Sequence, residues 1–559
     1  MSDQELIEER KRKVLHFLKR RVDIVAYVIL SCIIALAVWI RVQPMRVNPA
    51  TGKPGLWDIA TDNWTLGPDL DPFLFLRWAK YIVEHGTLYT VDMMRYVPLG
   101  FNTKFELLLL PYLMAWFHPL ASIFGSQSVT QSAVIFPVFM FALTVIAFFL
   151  LVYEIFLPLS GKKKSTIIAL SSCLFLSILP PLLPRTIAGI PEKESVAFFL
   201  LFLTFFLFLR AWRSKRPSGK YLIALLAGLS TGAMAITWGG NIYIFVTLGL
   251  SLFIAFFMGQ MDKHKVGAAF VWLVTTMIIM NLFSLRYPAR DLATSTVLLI
   301  AALPIILFCA HYVLANTPLR KYTERGWISR TPLPVISLVI VAICGIIIMS
   351  FLAGPQLIFT KIGDITKPLV APISDRLGVT VAENRQPFFN EWTSSFGPVV
   401  AGIPLFFWLF FFGSVYLFYQ VTKDFSPKQR WLLTGSYLFF FIALIFSRYS
   451  DTSLFNGTNT ISLLFYLSGI LVLLGAFGFV YYRNYRKNTL EGFRGIDFGT
   501  ILLFSLFFFS IVSARGSVRT IMVLVPVASI MVSYLAVSLI ASAQSHREQK
   551  RIVVAVLAG

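Results

Sequence analysis

Phe105-Glu106-Leu107-Leu108-Leu109-Leu110-Pro111-Tyr112-Leu113-Met114-Ala115-Trp116-Phe117-His118-Pro119-Leu120-Ala121-Ser122-Ile123 is apolar enough to be taken for a membrane span. Counting it as one would move every later loop to the other side of the membrane. Pro111 and Pro119 interrupt it, and each removes a backbone donor from a helix. We read the stretch as lying along, or dipping into, the membrane interface. Two basic loops support this: Lys162-Lys163-Lys164, and the stretch with Arg213, Lys215, Arg216 and Lys220. Cytoplasmic loops carry an excess of Lys and Arg. Both loops fall inside only if residues 131–158 are the second span and 42–128 form one long external loop.

Working outward, the rest alternates consistently. The chain has 559 residues, of which 57% are hydrophobic and 14% charged; soluble domains carry roughly 25% charged residues. After a basic N-terminus (1–22), spans are expected at about 23–41, 131–158, 165–184, 195–212, 221–238, 241–259, 267–285, 293–315 and 333–352. A second external loop covers 353–397. Spans at about 398–421, 431–447, 459–481, 498–512 and 517–541 follow, for a total of about 14 within a range of about 13–15. The expectation is an all-α polytopic membrane protein with a membrane domain over 23–541. Residues 542–559 read as a cytoplasmic basic loop and the opening of a further, truncated span.

The net charge of +22 follows from positive-inside loops rather than from a nucleic-acid partner, for which no long basic patch exists. Cys32, Cys173, Cys309 and Cys344 lie in apolar runs without pairing motifs and read as buried small hydrophobes.

On this topology three acidic stretches share the external side: Asp69-Leu70-Asp71, Glu192-Lys193-Glu194 and Thr380-Val381-Ala382-Glu383. Carboxylates at a membrane boundary are expensive unless paired or functional. Oxygen-rich groups of two or three carboxylates suit hard cations such as Mg²⁺ or Mn²⁺. Lys193 reads as a solvated spacer between its two acids. Arg448 and Arg519 fall near the external ends of spans.

Five stretches also carry a resemblance. Gly67-Pro68-Asp69-Leu70-Asp71-Pro72-Phe73-Leu74-Phe75-Leu76-Arg77 and Arg185-Thr186-Ile187-Ala188-Gly189-Ile190-Pro191-Glu192-Lys193-Glu194 resemble the two acidic motifs of the oligosaccharyltransferase catalytic subunit family. Thr237-Trp238-Gly239-Gly240, Thr380 to Glu383, and Val518-Arg519-Thr520-Ile521-Met522-Val523-Leu524-Val525-Pro526 are similar to its Trp-Gly-Gly turn, external-loop motif and late arginine helix. The style is that of the archaeal single-subunit enzymes. One departure is that no Trp-Trp pair occurs, so the family's Trp-Trp-Asp motif, which lies in a soluble C-terminal domain, is missing.

The resemblance implies a C-type glycosyltransferase fold (GT-C) and transfer of an oligosaccharide from a dolichyl phosphate or pyrophosphate carrier to asparagine in N-x-S/T sequons. The active site would face the extracytoplasmic side of the membrane. Asp71, Glu192 and Glu194 would hold Mn²⁺ or Mg²⁺. Asp71 and Glu383 would grip the acceptor amide, and Arg519, Arg448 and Arg185 would contact the lipid phosphate. Asp69, Thr380 and Trp238 complete the motifs. The rival readings are another GT-C enzyme, such as a protein O-mannosyltransferase, and a polytopic transporter. A transporter predicts acids buried mid-span and internal repeats; the acids here lie at span ends.

Overall fold

The computed structural model describes residues 22–323, 330–370 and 381–558. All of the expected basic N-terminus except Val22, and the motif residue Thr380, lie outside these ranges. Eleven helices among the described residues are long and apolar enough to cross a bilayer. One of them, Val129–Ile178, is a 50-residue run that folds back at Gly161 (φ 68°) and so supplies two crossings. Pro217–Ala235 and Leu405–Val421 are further apolar helices at expected span positions. With these included, a helix stands at each of the fourteen positions read from the sequence.

The stretch that decided the topology is a 15-residue helix, Leu109–Ile123. At 1.5 Å per residue it is about 22 Å long, short of the hydrocarbon core. It packs on Asp71–His85 and Val129–Ile178, burying Leu110, Met114 and Ala115. The long loop around it also holds two small antiparallel pairings, Trp57–Asp58 with Asn63–Trp64 and Val91–Asp92 with Phe101–Asn102.

Helix contacts follow side-chain size. Gly228 and Gly232 lie four apart on Pro217–Ala235, a Gly-x-x-x-Gly face against Lys263–Phe283. A Cβ at Gly228 would stand 2.7 Å from Thr275 Cβ, and one at Gly232 would stand 2.6 Å from Ile279 Cβ. Only glycine lets the two backbones come this close. Elsewhere phenylalanine fills the interior, with Phe148, Phe202, Phe410 and Phe507 buried in one continuous core.

Three expectations are corrected. The long loop expected over 353–397 is partly helical among its described residues, with Gln356–Val370 and Phe389–Ser395 inside it. Residues 542–551 are not a loop: one helix runs from Ile521 to Ala558, because no glycine or proline follows Pro526 until the last residue. Of the four cysteines only Cys173 is buried; Cys32, Cys309 and Cys344 are exposed on spans that present apolar faces outward.

Pro158, Leu159 and the loops after Trp212, Met258, Val421 and Arg494 line one common cavity. They meet at the end of the bundle where the Lys193–Arg213 helix finishes. The acidic motifs gather where that helix begins, about 32 Å away by helix length.

Candidate active site

The two acidic motifs are clipped together through the backbone. The Gly67 amide donates to the Gly189 carbonyl at 2.8 Å, and the Gly189 amide donates to Val134 O at 2.9 Å. Gly189 has φ +85°, a left-handed conformation that glycine adopts without penalty. Asp71 opens the Asp71–His85 helix, followed by Pro72, where the N-terminal helix field favours a carboxylate. Glu192 is the residue before the Lys193–Arg213 helix and Glu194 lies in its first turn.

Buried Arg41, at the end of the first span, fixes this loop from below. Its Nε donates to Thr186 Oγ1 at 2.9 Å and its Nη1 to Ser177 O at 3.0 Å. Its own carbonyl accepts from the Ala188 amide.

Arg185 is the hub. Its Nη1 lies 3.3 Å from Asp69 Oδ2 and 3.3 Å from Glu192 Oε1, and its Nη2 donates to Glu383 Oε2 at 2.6 Å. Arg519 makes a second bridge, with Nη2 2.7 Å from Glu194 Oε1 and Nε 4.0 Å from Glu383 Oε2. Glu383 itself is held through its backbone: its carbonyl accepts from Ser517 Oγ at 3.0 Å, and next to it Arg385 O accepts from the Val518 amide. Residues more than 300 positions apart thus meet in one cluster.

Negative charge exceeds positive there. Five carboxylates (Asp69, Asp71, Glu192, Glu194, Glu383) face two arginines. Glu192 and Glu194 are only 3% and 1% exposed. Burial and then the charge of Glu194 push the Glu192 carboxyl up to about 7; Asp69 and Asp71 add to this and Arg185 opposes it. Asp71 is exposed and has no hydrogen bond or ion pair among the described residues. Among those residues no three His, Cys, Asp or Glu side chains converge closely enough to ligate one ion. Arg185 occupies the space between three of the acids.

Arg448 stands apart from the cluster. Its donors go to Gln386 O (3.3 Å) and Asn456 O (3.2 Å), and its guanidinium lies over Phe388. Half-buried Trp238 stacks with Tyr243 and lies near Phe198, away from the acids' hydrogen bonds. Lys193 is not a solvated spacer: its ammonium pairs with Glu106 at 2.9 Å and lies over Phe75, because the long loop over 42–128 folds over it.

Sequence reasoning missed Arg41, Glu106 and Asp92. Asp92 is buried and receives hydrogen bonds from Arg77, Trp78 Nε1 and the Met94 amide. Burial alone would push its carboxyl up; these hydrogen bonds outweigh that and hold it below the usual carboxylate range. The one available signal was the cost of an unpaired acid in an apolar stretch.

Comparison with known proteins bears on this geometry. Subunit stt-3 of the Caenorhabditis elegans dolichyl-diphosphooligosaccharide–protein glycosyltransferase is 27% identical over 203 residues, 35% of this chain and 25% of the relative. The Saccharomyces cerevisiae subunit STT3 is 29% identical over 98 residues, 18% and 13% of the two chains. The archaeal oligosaccharyltransferase AglB from Archaeoglobus fulgidus, solved with an inhibitory peptide and a dolichol-phosphate, shares the fold. Its TM-score is 0.58 at 16% identity, covering 94% of this chain and 52% of that one. The apo form of the Archaeoglobus fulgidus enzyme gives 0.53 at 20% identity, over 90% and 56% of the two chains. The chain therefore spans about half the length of these structures. The sequence profile described as oligosaccharyl transferase STT3, N-terminal, matches residues 27–383, a range that takes in both acidic motifs, Trp238 and Glu383, and on this match the chain belongs to the STT3 oligosaccharyl transferase family.

Proposed function

We propose that this chain carries the membrane catalytic site of a glycosyltransferase that moves a preassembled oligosaccharide from a dolichyl phosphate or pyrophosphate to the asparagine amide of an N-x-S/T sequon. The single observation that carries the proposal is Glu383 on Arg185, the arginine that also holds Asp69 and Glu192. The related archaeal structure with a peptide and a dolichol-phosphate supports both partners. The membrane domain would extend over 23–541, with the acid cluster on the extracytoplasmic side; the basic loops at the opposite end support that sidedness.

The donor set matches a hard divalent cation in its chemistry, although its carboxylates do not converge on one point in this structure. It is all oxygen, it carries surplus negative charge, and Glu192 is pushed towards neutrality in a way that a cation would relieve. Asp71, Glu192 and Glu194 would hold Mn²⁺ or Mg²⁺. When bound, the ion would neutralise charge on the lipid phosphate.

The remaining work falls to this chain's own side chains. An amide nitrogen is a poor nucleophile because its lone pair is delocalised into the carbonyl. Asp71 and Glu383 would each accept a hydrogen bond from the asparagine NH₂, turn it out of conjugation and aim it for in-line attack with inversion at the anomeric carbon. Arg519 and Arg185, at the cluster, and Arg448, whose own bonds reach only carbonyls, would meet the phosphate with planar donor forks. Trp238, Asp69 and Thr380 would shape the surrounding loops.

The test uses purified full-length protein, lipid-linked oligosaccharide and a fluorescent Asn-x-Thr peptide. Glycopeptide formation that is abolished by EDTA and by Asp71→Ala or Glu383→Gln supports the proposal. Metal-dependent transfer to a hydroxyl acceptor would replace it with another GT-C chemistry.

A further inference from the structure

At the end of the bundle opposite the acid cluster, a cavity of about 1130 Å³ opens between the loops. Cations dominate its lining: Lys215, Lys220, Lys265, Lys423 and Arg494, besides Arg213. Three acids also line it, and two are already engaged. Asp497 takes Arg213 at 2.6 Å and the Gly499 amide at 2.7 Å. Asp262 caps the Lys263–Phe283 helix through the Lys265 amide and lies 3.8 Å from the Lys265 ammonium. Only Asp424 remains for the others. Lys215, Lys423 and Arg494 form no ion pair among the described residues, and all three are exposed.

Lys220 carries the argument furthest. It is 6% exposed, and its ammonium makes one hydrogen bond, to the Trp212 carbonyl at 3.3 Å. An ammonium has three donors, so two are left in a nearly closed position; the one acid acting on it, Asp262, is shared with Lys265, and a buried charge so thinly compensated is costly. Leu159, Leu417 and Tyr534 line the same cavity, so an anionic head and the start of an apolar chain would both find partners.

We infer that this cavity binds a phosphate group, taken from the headgroup of an anionic phospholipid in the adjoining leaflet. Basic pockets between membrane helices are suited to such headgroups, and lysines bind phosphate through charge-assisted hydrogen bonds. The site is about one helix length from the acid cluster and does not depend on the proposed transferase role.

The test reconstitutes the full chain in nanodiscs of phosphatidylcholine doped with phosphatidylglycerol, and counts retained lipids by native mass spectrometry. One phosphatidylglycerol should be held in preference to phosphatidylcholine. Lys215→Gln/Lys423→Gln, both exposed and so harmless to folding, should weaken that retention about tenfold; Lys220→Gln should act in the same direction. Lys80→Gln, at the acidic end, should leave it unchanged. Displacement of the lipid by inorganic phosphate supports a phosphate-reading site. Phosphate binding that depends on these lysines, without any lipid preference, keeps the phosphate chemistry and assigns its source to free phosphate. Absence of both, or equal retention in the double variant, overturns the inference.

Discussion

Two buried glutamates lie near opposite ends of the Lys193–Arg213 helix and are compensated differently. Glu154, at the basic end, has Arg210 at 3.3 Å and Arg213 at 3.1 Å. Glu192, at the acidic end, shares its one arginine with Asp69 and Glu383. The first is a closed structural network, two carboxylates with two arginines once Asp497 on Arg213 is included. The second is part of a cluster whose charge is left unbalanced, and under the proposed function a cation and polar substrates would balance it. A charged residue in a membrane protein is thus best interpreted by what neutralises it, rather than by its burial alone.

The comparison breaks first at the acidic end. If the surplus charge serves catalysis, Glu192→Gln should lower transfer about a thousandfold, roughly 4 kcal/mol in the barrier, while the melting temperature in detergent stays the same or rises. A large loss of melting temperature instead would make Glu192 structural. At the basic end, Glu154→Gln should do the reverse. It leaves Arg210, which is more than half exposed, without its carboxylate, while Arg213 keeps Asp497, and should cost about 1.5 kcal/mol of stability, read as a drop in melting temperature, with the KM of the remaining folded enzyme unchanged.

Arginines sharpen the contrast further. Arg519 is held by two carboxylates, so Arg519→Gln should mainly lower kcat, by about tenfold to a hundredfold. Arg448 bonds only to carbonyls, so Arg448→Gln should mainly raise KM for the lipid donor. Equal effects on both parameters in both variants would erase the distinction.

Smaller effects belong to the long loop over 42–128. The folded Asp92 carboxyl lies below its unfolded value of about 3.9, so its stabilisation is complete above that value and fades as pH falls through the folded pKa. Thermal stability should therefore decline on acidification below about pH 4, and Asp92→Asn should flatten that decline. Lys193→Gln, which breaks a partly exposed pair with Glu106, should cost only about 0.5–1 kcal/mol.

Much of this was legible in the sequence, for physical reasons. Span length is a local property, so the fourteen helix positions could be read directly. The basic loops at 162–164 and 213–220 set Leu109–Ile123 apart from the expected crossings; Pro111 and Pro119, read as interruptions, sit inside one continuous helix. The motif acids were also local, and their common side followed from loop parity. The partners were not legible. Arg185 lies 116 residues from Asp69 and 198 from Glu383, and no local pattern encodes a contact at that separation. Arg41 ends the first span and reaches inward to Thr186, 145 residues away, with no local signal for the contact. Lys193 looked solvated because nothing near it in sequence announced Glu106.

The fold-back at Gly161 has a consequence for how the chain enters a membrane. Lys162, Lys163 and Lys164 sit exposed immediately after that bend. Dragging them through hydrocarbon would cost about 2.5–3.5 kcal/mol each. The two limbs of Val129–Ile178 therefore have to insert together, as a hairpin whose bend stays on the side of synthesis, and the three lysines act as its stop.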